Sequence, residues 1–283
     1  MARQAQRDPA GVTPDARRAL LTALIDHAAL FPPASMDMPD AIEADRQARA
    51  GEHAWILGRF ICPASRLGEL PRETPQLSVV LDGGEGDLEA VSDARRAGRD
   101  VALVEARIDP AWIPDTQALV NAKLGDGVQA FWELSPGRGL RGAVAAVREA
   151  RAGAKIRCGG TTLPSVEEVA AFVAACRDAG VRFKATAGLH HAVRRDGAHG
   201  FLNLLAAAVF AHADGLTEDE LVPLLAEEDP GAFRVDAGAL AVHDRRAGAG
   251  AIADARAELF VAYGSCSFSE PVEDLSELGM LPG

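Results

Sequence analysis

What the chain lacks narrows it first. Its 283 residues include only four cysteines, Cys62, Cys158, Cys176 and Cys266, and no two of them form a C-x-x-C pair. That excludes a zinc framework or a disulfide scaffold and leaves the reduced thiols of a cytosolic protein as the expectation. Positive charge is scarce: 29 Lys and Arg against 41 Asp and Glu leave a net −12. This is the wrong sign for a general nucleic-acid or anionic-membrane binder. Long apolar runs are missing too. The longest, Phe201 to Ala213, carries Asn203 and His212 and falls short of the ~20 residues a bilayer span needs. Leu20–Ile25 runs straight into Asp26-His27, too short and too polar for a signal peptide. A cytoplasmic location is therefore expected, with residues 1–15 as a frayed start.

There is no linker, low-complexity tract or short repeat, and a hydrophobic share of 48% with a charged share of 25% is that of a globular protein. Residues 1–283 are expected to form one domain. One pattern recurs: a short apolar run, a turn with Gly or Pro, then an amphipathic stretch. The runs are Ala54–Ile61, Leu77–Leu81, Val101–Val104, Val128–Trp132, Ala154–Ile156 and Phe183–Thr186, with two more at Ala28–Phe31 and Phe233–Asp236. Continuous apolar runs suit strands buried on both faces of a parallel sheet. Helical stretches lie between them. The clearest is Val166–Ala179, opened by Ser165 and Glu168 in capping-box spacing and closed by Gly180. Eight strands alternating with helices predict an α/β protein with a (β/α)8 TIM barrel, the alternative being an open doubly wound parallel sheet.

A barrel puts its chemistry at the C-terminal ends of the strands. Those ends carry Asp82, Glu105 with Arg107, Glu133, Lys155 with Arg157, Lys184, and Asp236. Charged groups in or just past buried strands are unusual, and here they recur along the chain. The densest segment is Lys155-Ile156-Arg157-Cys158-Gly159-Gly160, followed one helix later by Lys184-Ala185-Thr186-Ala187-Gly188-Leu189-His190-His191. Alternation points Lys155 and Arg157 to one side of the sheet. A lysine beside other cations, or partly desolvated, becomes a nucleophilic amine able to form a Schiff base with a carbonyl. The other reading of these lysines is a buried ion network with Glu133, Glu105 or Asp236.

Residues 153–191 resemble the sixth and seventh strands of class I Schiff-base aldolases of the deoxyribose-phosphate aldolase type. The resemblance implies that Lys155 forms the Schiff base, that Lys184 is its electrostatic partner, and that Gly159 and Gly188 are turn glycines. Arg157, Gly160 and the His190-His191 pair depart from that family's pattern. Glu133 and Glu105 are the candidates for the acid/base carboxylate, and Arg157, Gly159, Gly160, Gly188, His190 and His191 for binding an anion.

The lead expectation is thus an enzyme, an aldolase-type lyase acting without a cofactor on a small phosphorylated or carboxylated carbonyl compound. A second reading is a divalent-metal-dependent isomerase, lyase or hydrolase with His190, His199 and Glu133 as ligands, although neither H-x-H nor H-E-x-x-H spacing occurs. A third is a non-catalytic ligand-binding barrel. Homo-oligomerisation stays open. Gly137-Arg138-Gly139-Leu140-Arg141-Gly142 has the G-x-G-x-x-G form, but no acidic residue ends the next strand to hold a ribose, so a flexible turn is the simpler reading. In the tail, Ser267 and Glu270 have capping-box spacing, and Cys266 has no basic neighbour in sequence.

Overall fold

The computed structural model describes residues 15–84, 86–125, 127–160 and 163–281, so most of the expected frayed N-terminus lies outside the described residues. Eight parallel strands close into a barrel. The chain enters through helix α1 (Ala16–Leu21) and lays down β1 (Ile25–His27), α2 (Met38–Ala50), β2 (Leu57–Pro63), β3 (Leu77–Val80), α3 (Asp87–Arg96), β4 (Val101–Arg107), α4 (Ile113–Leu124), β5 (Gln129–Glu133), α5 (Leu140–Glu149), β6 (Gly153–Arg157), α6 (Val166–Ala179) and β7 (Phe183–Thr186). Between β2 and β3 the connection is a 3-10 turn, Ala64–Glu69, in place of an α-helix. After β7 come α7 (Phe201–Asp214), α8 (Glu218–Ala226), a three-stranded antiparallel sheet of β8 (Phe233–Val235), β9 (Ala239–Val242) and β10 (Arg245–Gly248), then α9 (Ala249–Glu258), β11 (Phe260–Ser265) and α10 (Ser269–Glu277). β11 closes the ring between β1 and β7.

Two of the expected staves are therefore different segments. Phe233–Asp236 belongs to the small outer sheet: Asp236 accepts hydrogen bonds from the Gly238 and Ala239 amides at 2.7 and 2.9 Å, which turns β8 back onto β9. An Asp accepting from the backbone two and three residues on is a turn device, so Asp236 is a hairpin residue outside the barrel. Its place is taken by β11, a continuous apolar run. The first stave is Ile25–His27, and Ala28–Phe31 is the turn that follows it. Arg245–Gly250 supplies β10 and the start of α9.

Apolar side chains fasten the helices to the staves. Phe172 of α6 meets Phe183 of β7 edge-on at 5.3 Å between ring centroids, and Phe183 meets Phe260 of β11 at 5.0 Å. The α6 capping box is formed in both directions, and Gly180 ends the helix at φ +63°. No helix among the described residues is long and apolar enough to cross a membrane.

Candidate active site

The inward positions of β4 to β7 hold polar side chains where a barrel core is ordinarily aliphatic. Register explains why they meet. Glu133 lies opposite Lys155 across β5 and β6, and Lys155 opposite Lys184 across β6 and β7, so the three occupy one layer. Lys155 Nζ donates to Glu105 Oε2 at 2.9 Å and lies 3.3 Å from Glu133 Oε2. Lys184 Nζ donates to Glu105 Oε1 and to Asp26 Oδ2, the latter at 2.6 Å. Asp26 in turn accepts from the Arg59 amide at 2.7 Å, with the Arg59 guanidinium 3.5 Å away. At the other end Arg157 Nε donates to Glu133 Oε1 at 3.2 Å. Opposite charges therefore alternate across the barrel: Arg157, Glu133, Lys155, Glu105, Lys184, Asp26, Arg59. Lys155 and Arg157 do share one side of β6, as alternation requires.

Small residues make room for this layer. A Cβ on Gly153 would stand 2.3 Å from the Phe131 ring, so the glycine admits the aromatic just below the ions, with Lys184 Nζ 6.0 Å from its centroid. A Cβ on Gly58 would stand 2.4 Å from Asp26 Oδ1; without it the carboxylate reaches the β2 backbone.

Electrostatics divides the two lysines. Lys184 is 1% exposed. Its burial disfavours the ammonium, but Asp26 and Glu105 outweigh that and raise its pKa, so it stays a fixed cation. Glu105 is likewise opposed by burial, yet Lys184, Lys155 and the hydroxyl of Ser78, 2.5 Å away, hold it well below the usual carboxylate range. Lys155 differs in place: it forms part of the wall of a cavity of about 1010 Å³ at the C-terminal mouth of the barrel, together with Glu105, Glu133, Arg107, Arg157 and His190. This is the position at which barrel enzymes carry their chemistry. A shallower groove elsewhere, lined by Arg95, Arg96, Arg99 and Lys123, has its cations already bonded to backbone carbonyls or to surface acids.

The loop residues separate. Gly160 and Gly188 line the mouth, at φ +99° and +70°. Gly159, expected to offer its N–H to an anion, instead lets two loops touch: its Cβ would lie 2.6 Å from Gly188 Cα, and it is not part of the cavity wall. His191, expected beside His190, faces away from the main cavity, with Nε2 2.8 Å from Arg195 and Nδ1 3.4 Å from Asp274. His199 is a core histidine: Nε2 is 2.8 Å from the Pro164 carbonyl oxygen, and burial lowers its pKa. Among the described residues no group of three or more His, Cys, Asp or Glu side chains is arranged to hold a metal ion, so His190, His199 and Glu133 form no such set. Asp82 holds the rim, accepting from the Ser65 amide and hydroxyl at 3.0 and 2.7 Å.

Asp26, a member of the ion layer, escapes a strand-end survey. Asp26 follows the apolar run Leu20–Ile25 and is 0% exposed; its signal was a lone acid directly after such a run. His27 beside it is buried on the outer side of β1, where Asp45 of α2 meets Nδ1 at 3.2 Å and is itself held by Arg49 at 2.7 Å. That chain fastens α2 over the first stave. In comparison with known proteins, no protein-family model and no curated protein matches this chain, and its chemistry is read from these side chains.

Proposed function

We propose that the protein is a lyase of aldolase type, forming a Schiff base through Lys155 with a small phosphorylated or carboxylated carbonyl compound. The observation that carries this reading is the placing of Lys155 in the wall of the barrel-mouth cavity, with its Nζ 2.9 Å from one carboxylate and 3.3 Å from another. An ion pair needed only as a brace has no reason to open on a cavity; Lys184, which is sealed, shows the bracing arrangement beside it.

The roles follow from the surroundings. Lys155 loses a proton to a neighbouring carboxylate, and its nitrogen attacks the substrate carbonyl carbon. Loss of water gives a cationic imine, which draws the electron pair of the Cα–Cβ bond into an enamine as that bond breaks; the β-hydroxyl gives its proton to a carboxylate and departs as an aldehyde, and protonation of the enamine followed by hydrolysis frees Lys155. Lys184 keeps its proton and supplies fixed positive charge across the strand. Glu105 is tied to Ser78 and to both lysines, so it holds the charges in place. Glu133 bonds only Lys155 and Arg157, at the cavity edge, which suits the acid/base that moves protons. Arg157, its side chain 49% exposed, and Arg107 supply positive charge for a substrate phosphate or carboxylate. The resemblance of residues 153–191 to class I aldolases supports the same assignment of the two lysines.

The test is borohydride trapping. The protein is incubated with a panel of short aldehydes and keto acids, reduced, digested and mapped by mass spectrometry. The expected result is a reduced adduct on the peptide bearing Lys155, absent in Lys155→Met. Turnover without any adduct, or full activity in Lys155→Met, would discard the proposal.

A further inference from the structure

One nucleophile at the barrel mouth takes no part in the chemistry above. Cys266 directly follows β11, and its sulfur lies 3.9 Å from His190 Nδ1, a residue of the loop after β7. The same nitrogen is 3.1 Å from Glu270 Oε2, in the first turn of α10. Two segments far apart in sequence, the loop after β7 and the stretch from β11 into α10, thus bring a thiol, an imidazole and a carboxylate together. The sequence alone gave Cys266 no basic neighbour; barrel closure provides one. Glu270 does not complete the capping box expected of it. Ser267 Oγ accepts from the Glu270 amide at 3.2 Å, but the Glu270 carboxylate turns to His190.

The surroundings set this thiol apart. Cys62 and Cys158 are sealed, and burial pushes each thiol up to about 12; burial pushes Cys176 up as well. Cys266, although only 8% exposed, borders both the barrel-mouth cavity and an adjoining one of about 870 Å³. His190 also borders both. Hydrogen bonding with Cys266, and then Glu270, holds the His190 pKa up to about 9 against the effect of burial. Nearby, Arg195 meets His191 Nε2 at 2.8 Å, and Asp274 accepts from the Ala192 amide at 2.8 Å. An imidazole within reach of a thiol can take up its proton as the sulfur attacks, which makes the sulfur a better nucleophile.

We propose that Cys266 is a second, reversible covalent site at the mouth, capturing short aldehydes as hemithioacetals with His190 as the proton carrier. The sulfur attacks the carbonyl carbon and a sulfur–carbon bond forms. The carbonyl π pair moves to oxygen, and that oxygen takes up the proton carried by His190. The net change is addition of S–H across C=O, with no oxidant or reductant consumed, and the reverse step releases the aldehyde. The inference rests on the Schiff-base reading only for the carbonyl class of the ligand; the thiol itself does not need Lys155.

The experiment is competitive alkylation of the native protein with limiting iodoacetamide, following each cysteine-containing peptide by mass spectrometry. Cys266 should label first. Glycolaldehyde should slow its labelling reversibly, and the same protection should appear in Lys155→Met, which separates thiol capture from shielding by an imine on the lysine. His190→Gln, checked for an unchanged melting curve, should slow labelling of Cys266 roughly tenfold or more. Labelling of Cys266 no faster than of Cys62, or no protection by glycolaldehyde in Lys155→Met, overturns the proposal. Either result leaves the borohydride test of Lys155 unaffected.

Discussion

Among the described residues Glu105 is the acid that both lysines share, and replacing it with glutamine is the sharpest test of the ion layer. Glu105→Gln keeps the shape and removes the charge. Its carboxylate bonds Lys155 at 2.9 Å, Lys184, and Ser78 at 2.5 Å. At an effective dielectric constant of about 20, a unit pair at the Lys155 separation attracts by about 6 kcal/mol. Relief from burying a carboxylate returns part of this, but two buried ammoniums are left with only Asp26 and Glu133 to share. The expected loss is about 3–5 kcal/mol, the usual cost of breaking a buried pair from one side. Reversible urea unfolding followed by circular dichroism measures it. The pH dependence adds a second handle. The folded-state pKa of Glu105 is depressed well below the ordinary carboxylate value by the two lysines beside it, so its contribution is complete above that ordinary value and is lost as pH falls toward the folded one. The gap between wild type and Glu105→Gln should therefore be widest at neutral pH and narrow steadily in acid. A loss under about 1 kcal/mol, the range of a surface pair, or a gap that is the same at all pH values, would refute the alternating charge layer.

Gly153→Ala should destabilise the fold by about 1–3 kcal/mol, since the new methyl overlaps the Phe131 ring directly beneath the lysines; thermal unfolding reads this, and a neutral result would mean that the ring has room to move. Arg157→Ala should leave stability within about 1 kcal/mol, because its pair with Glu133 is half exposed, yet weaken binding of inorganic phosphate or pyruvate about tenfold to a hundredfold, the loss of one charge-assisted contact. Titration calorimetry checks it, and unchanged affinity would remove Arg157 from the binding role.

How far the sequence foretold this site depends on which contacts are local. Lys155, Lys184, Glu105 and Glu133 were legible because each sits in a strand whose apolar run marks it, and a layered barrel aligns such positions. Asp26 was not, because a stave of three residues after a helix leaves too little pattern to recognise. Placing the last stave at Phe233–Asp236, when Phe260–Ser265 fills that place, failed for another reason. A short apolar run looks the same whether it pairs parallel or antiparallel, and the deciding signal was the turn chemistry of Asp236 and Gly238. Gly159 and Gly160 looked alike in sequence, and only packing separates the one pressed against Gly188 from the one open to the mouth. The meeting of His190 with Cys266 spans 76 positions and follows from ring closure, which no local pattern encodes.

The last stave carries a consequence for how the protein reaches its native state. Lys184 bonds Asp26 across a separation of 158 positions, and β11 stands between their strands. Its inward residues, Ala262 opposite Lys184 and Gly264 opposite Asp26, are too small to block that bond. Until β11 enters this gap, the opening stave and the seventh have no strand between them to pair with, and an ammonium in a half-built wall has lost water without gaining its second acid. Bringing such distant segments together is slow, and an ajar barrel is penalised electrostatically as well as by its exposed edges. The same charges that serve the mouth therefore favour the shut ring over any partly assembled form.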